Sequence, residues 1–192
     1  MMPQRTLSPT AAPISFWDLI GAASGLWGGV KYRRRLAEEL KVKFSVREVF
    51  LVSSGKAALT LILKALAASS GRRRVIVPAY TCFSVPSAIV RAGLEVVLCD
   101  VEPETLDFNF AELEGLINEE VLCVVPTHLF GRPADVDRVR RLCEGKDIVV
   151  VEDAAQAMGG ESGGRLLGTL GDVAFFSLGR GKNLTCGTGG II

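Results

Sequence analysis

The chain has a single histidine, His128, and its five cysteines include no CxxC pair. These absences exclude the usual nitrogen and sulfur frameworks of a transition-metal site, and no metal centre is expected. No Gly-x-x-x-x-Gly-Lys-Ser/Thr loop occurs, and no Gly-x-Gly-x-x-Gly fingerprint follows the first strand-like run, so neither type of nucleotide loop is expected. A serine–histidine–acid triad has no Gly-x-Ser-x-Gly support. Net charge is only +1. The two triple-arginine runs, 33–35 and 72–74, lack the interleaved aromatics of a single-strand binding surface, so no nucleic-acid partner is expected. The apolar stretch 14–30 is interrupted by Asp18 and several glycines and is too short for a membrane span. It reads instead as a segment docked on the protein body or on a partner. An odd cysteine count without a signal peptide favours a reducing, cytoplasmic location. Cys99 and Cys123 lie inside apolar runs and read as small core residues.

Hydrophobic residues make up 48% of the 192, which excludes general disorder and suffices for one sizeable core. Residues 1–13 form a polar, proline-containing tail, and 1–30 as a whole read as an N-terminal extension to a folded unit over 31–192. Tyr32, Leu36, Leu40 and Phe44 recur at helical spacing, predicting a helix over 31–43. Strands are then expected at 49–52, 75–77, 95–99, 121–125, 148–151 (ending in Glu152-Asp153) and 173–176. Helices are expected at 56–68, 85–92, 110–117 and 135–143. Runs of β-branched residues alternating with helices predict an α/β fold of three layers, a mainly parallel sheet with helices on both faces.

In such sheets ligands bind beyond the carboxyl ends of the strands. Five polar clusters follow strand ends in this sequence: Ser54-Gly55-Lys56, Tyr80-Thr81, Thr127-His128, Asp153 with Gln156, and Ser177 with Lys182. Ser54-Gly55-Lys56 is either a tight turn or an anion site at a helix N-terminus. Asp153 is either a cap for the next segment or a carboxylate directed at a cationic ring nitrogen. Gln156 falls on the same turn if that segment is helical, and would then donate to a ring oxygen. Ser177 is a candidate anion ligand. Lys182, between Gly181 and Asn183, is either a surface lysine or a Schiff-base lysine held in an enclosed site. His128 is structural or pocket-lining.

The stretches around Ser54-Gly55-Lys56-Ala57-Ala58-Leu59, at 75–81, 127–131, 151–157 and 171–184, and the Gly-Thr-Gly-Gly at 187–190 together resemble the pyridoxal-phosphate-dependent sugar aminotransferases of the DegT/DnrJ/EryC1/StrS family. The resemblance implies the large domain of the aspartate-aminotransferase-type (fold type I) enzymes, with pyridoxal 5'-phosphate as cofactor. It implies that Lys182 carries the cofactor covalently and moves the proton during catalysis. It further implies that Asp153 faces the pyridine nitrogen, that Gln156 neighbours the ring hydroxyl, and that Ser177 with the Gly55-Lys56 backbone cradles the phosphate. Lys56 stands where relatives commonly have threonine or serine, which leaves the backbone donors and adds positive charge. Relatives often place a ring-stacking aromatic after the threonine matching Thr81. Here that stacking or pocket role falls among Tyr80, Cys82 and Phe83, with His128 as a further pocket candidate.

The implied reaction moves an amine from a donor such as glutamate to a keto sugar, typically nucleotide-linked, for surface polysaccharides or antibiotic sugars. The implied assembly is a homodimer. A lyase or dehydratase on the same fold is the enzyme alternative, although family dehydratases that replace the lysine by histidine differ from this chain at Lys182. A non-catalytic regulatory protein is the other. Members of that family are longer, and the chain stops in an apolar run shortly after Lys182. The expectation is an incomplete large domain without its small domain, which alone binds cofactor poorly and does not turn over.

Overall fold

The computed structural model describes residues 15–192, apart from the side chains of 24–27; the expectation of a mobile tail over 1–13 lies outside the described residues. The first helix, α1, spans Phe16–Phe44. It starts at a capping box: Ser15 Oγ accepts from Asp18 N–H at 3.2 Å, and the Asp18 carboxylate accepts from Ser15 N–H at 2.8 Å. It ends at Ser45, which takes the left-handed conformation (φ 53°). The apolar stretch and the helix expected over 31–43 are therefore one continuous element. No proline interrupts them, and Gly28 and Gly29 do not break the helix. Among its described side chains those of the C-terminal part dock: Leu36, Leu40 and Phe44 pack with Phe176, Leu178 and Ile191. The Phe44 and Phe176 ring centroids are 5.2 Å apart. Docking of the apolar stretch on the body is not what the structure shows, since Phe16, Trp17, Leu19 and Ile20 are exposed.

Beyond α1 the elements alternate: β1 (Leu51–Val52), α2 (Gly55–Ser69), β2 (Arg74–Pro78), α3 (Ser84–Arg91), β3 (Glu95–Cys99), α4 (Phe110–Leu116), β4 (Val121–Val124), α5 (Val136–Cys143) and β5 (Val149–Asp153). A short hairpin, β6 (Glu161–Ser162) and β7 (Arg165–Leu166), precedes β8 (Val173–Ser177) and β9 (Gly190–Ile191). The sequence reading did not include that hairpin, whose strands are only two residues long. Its signal is Gly163-Gly164, with φ of 59° and 78°, the positive values that a tight two-residue hairpin turn requires.

The main sheet has seven strands in the order β1-β9-β8-β5-β4-β2-β3. β3, β2, β4, β5 and β8 are mutually parallel, while β9 runs antiparallel to both β8 and β1. The reversed β9 therefore leaves β1 pointing the same way as the central strands. Alternate residues of β2 feed two cores. Val75 and Val77 join α2 and α3 residues such as Leu59, Leu63 and Ile89 on one face. Ile76 joins Leu113, Val136 and Val139 of α4 and α5 on the other. The expected three-layer α/β architecture is the one observed.

Candidate active site

The strand order brings the ends of β1, β2, β4, β5 and β8 to one rim, and all five polar clusters stand there. At the rim's β1 side, Ser54 caps α2: its Oγ accepts the Ala57 N–H at 3.1 Å. The Gly55 and Lys56 N–H groups, at the helix start, have no intrahelical acceptor and carry the positive end of the helix dipole. Ser54-Gly55-Lys56 is thus a helix N-terminus and not an isolated tight turn. Glycine is required at 55 by proximity: a Cβ there would lie 3.0 Å from Ser177 Cβ and 3.4 Å from the Phe176 carbonyl oxygen. Gly190 has the same role from the other side, since its Cβ would lie 2.7 Å from Gly55 N. Thr188 Oγ1 donates to the Ser53 carbonyl at 3.0 Å and ties this loop to β1. Ser177 Oγ accepts only a long bond from Gly179 N–H, 3.4 Å, so its own proton is available to donate. The result is a closely packed backbone junction that brings the free Gly55 and Lys56 N–H groups beside the Ser177 hydroxyl.

Asp153 terminates β5 in the middle of the rim. Its main chain is fixed by Asp153 N–H to Pro126 O (2.9 Å) and His128 N–H to Asp153 O (3.0 Å). Oδ1 accepts the Ala155 N–H at 3.0 Å, so the capping function is also present. Burial pushes the Asp153 carboxyl up to about 6; the Ala155 N–H and the positive charge of Lys182 only partly offset it. Lys182 is half-buried in the loop between β8 and β9. That loop is pinned at its neck by Leu178 N–H to Gly189 O (2.9 Å) and Cys186 N–H to Leu178 O (3.0 Å). Lys182 is close enough to Asp153 for its charge to favour the carboxylate.

Gln156 is not on a helix. Residues 154–160 form successive turns, with Ala157 N–H on Ala154 O (3.0 Å) and Gly160 N–H on Ala157 O (2.9 Å). Gln156 Oε1 accepts the Phe130 N–H at 3.1 Å. Tyr80, Cys82 and Phe83 occupy one exposed loop between β2 and α3. His128 lies in the interior. Its ring is wholly buried, with Nε2 2.6 Å from Glu152 Oε1 and Nδ1 accepting the Ala134 N–H at 3.0 Å.

Sequence reasoning missed Glu152, which is fully buried and accepts N–H groups from Gly168, Leu170 (2.8 Å) and Gly171 (2.9 Å) besides His128. Burial alone would raise its pKa, but the His128 contact and the backbone donors hold it below the usual carboxylate value. The Thr81 and Thr127 hydroxyls, at the ends of β2 and β4, are buried without a hydrogen-bond partner. A cavity of about 630 Å³ lies elsewhere, lined by Leu40, Phe44, Val49, Met158, Phe176 and Ile192 among others. It contains neither Lys182 nor Asp153 and is apolar in character, so the rim is the better candidate. Among the described residues no cluster suited to a metal occurs, and no helix is long and apolar enough to cross a membrane.

A putative sugar aminotransferase of Streptococcus pneumoniae in its PLP form matches this fold with a TM-score of 0.77 and 30% identity, over 82% of this chain and 44% of the other. The fold is thus that of the large domain of aspartate-aminotransferase-type (fold type I) pyridoxal-phosphate enzymes. The chain belongs to the DegT/DnrJ/EryC1/StrS aminotransferase family, whose model matches residues 22–192. Among curated relatives, GDP-perosamine synthase of Vibrio cholerae is 33% identical over 84% of this chain and 43% of its own length. L-glutamine:2-deoxy-scyllo-inosose aminotransferase of Streptoalloteichus tenebrarius is 35% identical over 88% of this chain and 40% of its own. The chain therefore spans less than half the length of each of these relatives.

The residues present fit pyridoxal phosphate on their own chemistry. Free N–H groups at the start of α2 beside the Ser177 hydroxyl suit a phosphate. A buried carboxylate suits a protonated ring nitrogen, and two unpartnered hydroxyls stand at the same rim.

Proposed function

We propose that this chain is the cofactor-binding part of a pyridoxal-phosphate-dependent transaminase that moves an amino group from a donor such as glutamate to a keto sugar, nucleotide-linked as in the synthase relative. The observation that carries this reading is the placement of Lys182 beside buried Asp153, on the same rim as the N-terminus of α2 and Ser177. Bound pyridoxal phosphate supplies an electron sink for negative charge at the carbon bearing the transferred nitrogen. The chain's own groups do the rest. Gly55 and Lys56 N–H with the Ser177 hydroxyl bind the phosphate, and Lys56 adds charge. Asp153, which burial leaves reluctant to ionise, gains a compensating cation when it faces a ring N–H, and so holds that proton in place. Lys182 anchors the cofactor through Nζ and, once released by the donor amine, moves a proton at the substrate carbon. The 80–83 loop supplies the stacking face.

The relatives' lengths support a longer whole protein; the second, small domain and the homodimeric assembly are part of the proposal. The five free thiols suit a reducing cytoplasm. Borohydride reduction of the full-length protein with pyridoxal phosphate should add the reduced cofactor mass to the peptide containing Lys182, and Lys182→Ala should abolish it. Glutamate should then convert the cofactor absorption to that of the aminated form. Trapping without any amine transfer would favour the lyase or regulatory alternatives; failure to trap at Lys182 would overturn the reading.

A further inference from the structure

Glu152 and His128 make no hydrogen bond to Lys182, Ser177 or the start of α2 among the described residues, yet they form a fully bonded polar pair in the interior. Every partner of the Glu152 carboxylate is a donor: the N–H groups of Gly168, Leu170 and Gly171, and His128 Nε2. Such a set requires an ionised carboxylate. The Ala134 N–H can only donate, so His128 Nδ1 must be bare and Nε2 must carry the ring proton. The tautomer is thereby fixed, and the imidazole ties the 128–134 loop to the 168–171 loop.

The 128–134 loop has one residue in an unfavourable conformation. Phe130 takes φ 55° and ψ 24°, left-handed values that a side chain disfavours. It is held there by Gly131 N–H to His128 O (3.2 Å) and Arg132 N–H to Leu129 O (3.0 Å), both inside the segment that His128 anchors. In this conformation the Phe130 N–H meets Gln156 Oε1 at 3.1 Å. A backbone N–H accepts nothing, so the oxygen end of Gln156 must face Phe130 and the NH2 end must face away. No acceptor for that NH2 group occurs among the described residues.

We propose that Glu152 and His128 are positioning residues for Gln156: by locking the 128–134 loop they hold its oxygen on Phe130 and present its amide only as a donor to an anionic oxygen of the bound ligand. The ligand chemistry is that of a phenolate, such as the ring oxygen of pyridoxal phosphate, so the proposal rests on the reading in the preceding subsection. It adds a second level to that site. The rim residue does not choose its own hydrogen-bonding sense; the buried pair chooses it.

Two measurements on the full-length protein separate this proposal from the reading it rests on. The first, without cofactor, is amide hydrogen exchange at Phe130, with Val124 in β4 as a reference. Glu152→Gln places an NH2 group against donors, and Phe130 exchange should rise at least tenfold relative to Val124. Glu152→Asp, which keeps the charge but shortens the reach, serves where Glu152→Gln does not fold. Gln156→Glu retains an acceptor for Phe130 and should leave its exchange unchanged.

The second is pyridoxal phosphate binding, followed by absorbance across pH. Gln156→Glu should bind about tenfold more weakly and shift the titration of the bound cofactor, because its free end is now an oxygen. Adding the Glu152 substitution to Gln156→Glu should then weaken binding little further. Multiplying effects in the double variant, or unchanged Phe130 exchange in the Glu152 variants, overturns the proposal. A wild-type protein that takes up no pyridoxal phosphate overturns the functional reading and the donor's target with it, while the exchange result still decides whether the loop is locked.

Discussion

Replacing Asp153 by asparagine should make the cofactor-free protein more stable at neutral pH while destroying its ability to hold pyridoxal phosphate. Asparagine has nearly the same shape, and its amide oxygen can still accept the Ala155 N–H that Oδ1 takes at 3.0 Å. What disappears is a buried charge. The folded-state pKa is raised from 3.8 to about 6. The folded protein therefore binds the proton more tightly than the unfolded chain. Stability from this group is fully present below about pH 4 and is lost as pH rises through about 6. A shift of about two pKa units corresponds to about 3 kcal/mol. For a chain of this size that is a rise in melting temperature of about 6–12 °C in the variant at pH 8. Urea unfolding at pH 4, 6 and 8 provides the assay: the two proteins should coincide at the lowest pH and separate progressively above it. Glu152, held low, and Asp107, raised by burial, titrate in both proteins and cancel in the difference. Saturating pyridoxal phosphate should reverse the order, because a protonated ring nitrogen favours the carboxylate that asparagine lacks. Unfolding curves that stay parallel across pH would refute the claim that Asp153 is a strained, uncompensated acid waiting for a cation.

Gly190→Ala should cost about 1–3 kcal/mol in urea titrations, since the new methyl must displace the Ser54–Gly55 backbone. The same variant should lose phosphate affinity more than Gly187→Ala, whose Cβ would meet nothing, although φ 78° strains that position too. Among the thiols, a disulfide reagent at pH 8 should modify exposed Cys82 and Cys186 quickly. Cys99, pushed up to about 12 by burial, Cys143, to about 11, and Cys123, higher still, should react only on unfolding.

The sequence made the layered architecture legible because each central strand is a short β-branched run buried on both faces, as Val75–Val77 and Val121–Val124 show. The rim clusters were legible for the same reason: they are the first polar residues after such runs. Strand order was not, since nothing local in Gly190-Ile191 says that it turns back between β1 and β8. α1 was misread because its apolar first half looks like material for a core, whereas the helix continues into solvent with Phe16 and Trp17 exposed. Glu152 gave no signal, because a glutamate at a strand end is ordinary until the loops at 128–134 and 168–171 surround it with donors. For want of that information the sequence left His128 open between a structural and a pocket-lining role, and tied the orientation of Gln156 to a helix. In the structure one is a strut, and the other is oriented by a main-chain N–H rather than by a helical turn.

The bond from Thr188 Oγ1 to Ser53 O joins residues 135 apart in sequence, and β9, two residues after Thr188, is the one partner of β1 in the sheet among the described residues. Chains emerge from the ribosome N-terminus first. α2 can therefore form early from local contacts, but its first turn stays unsupported until residues 188–191 arrive. Closing so large a loop carries an entropic penalty before any contact repays it, which predicts late, slow assembly of this part of the sheet. On the proposed function, pyridoxal phosphate bound where the two ends of that loop meet is expected to act during biogenesis as a latch on this step of folding.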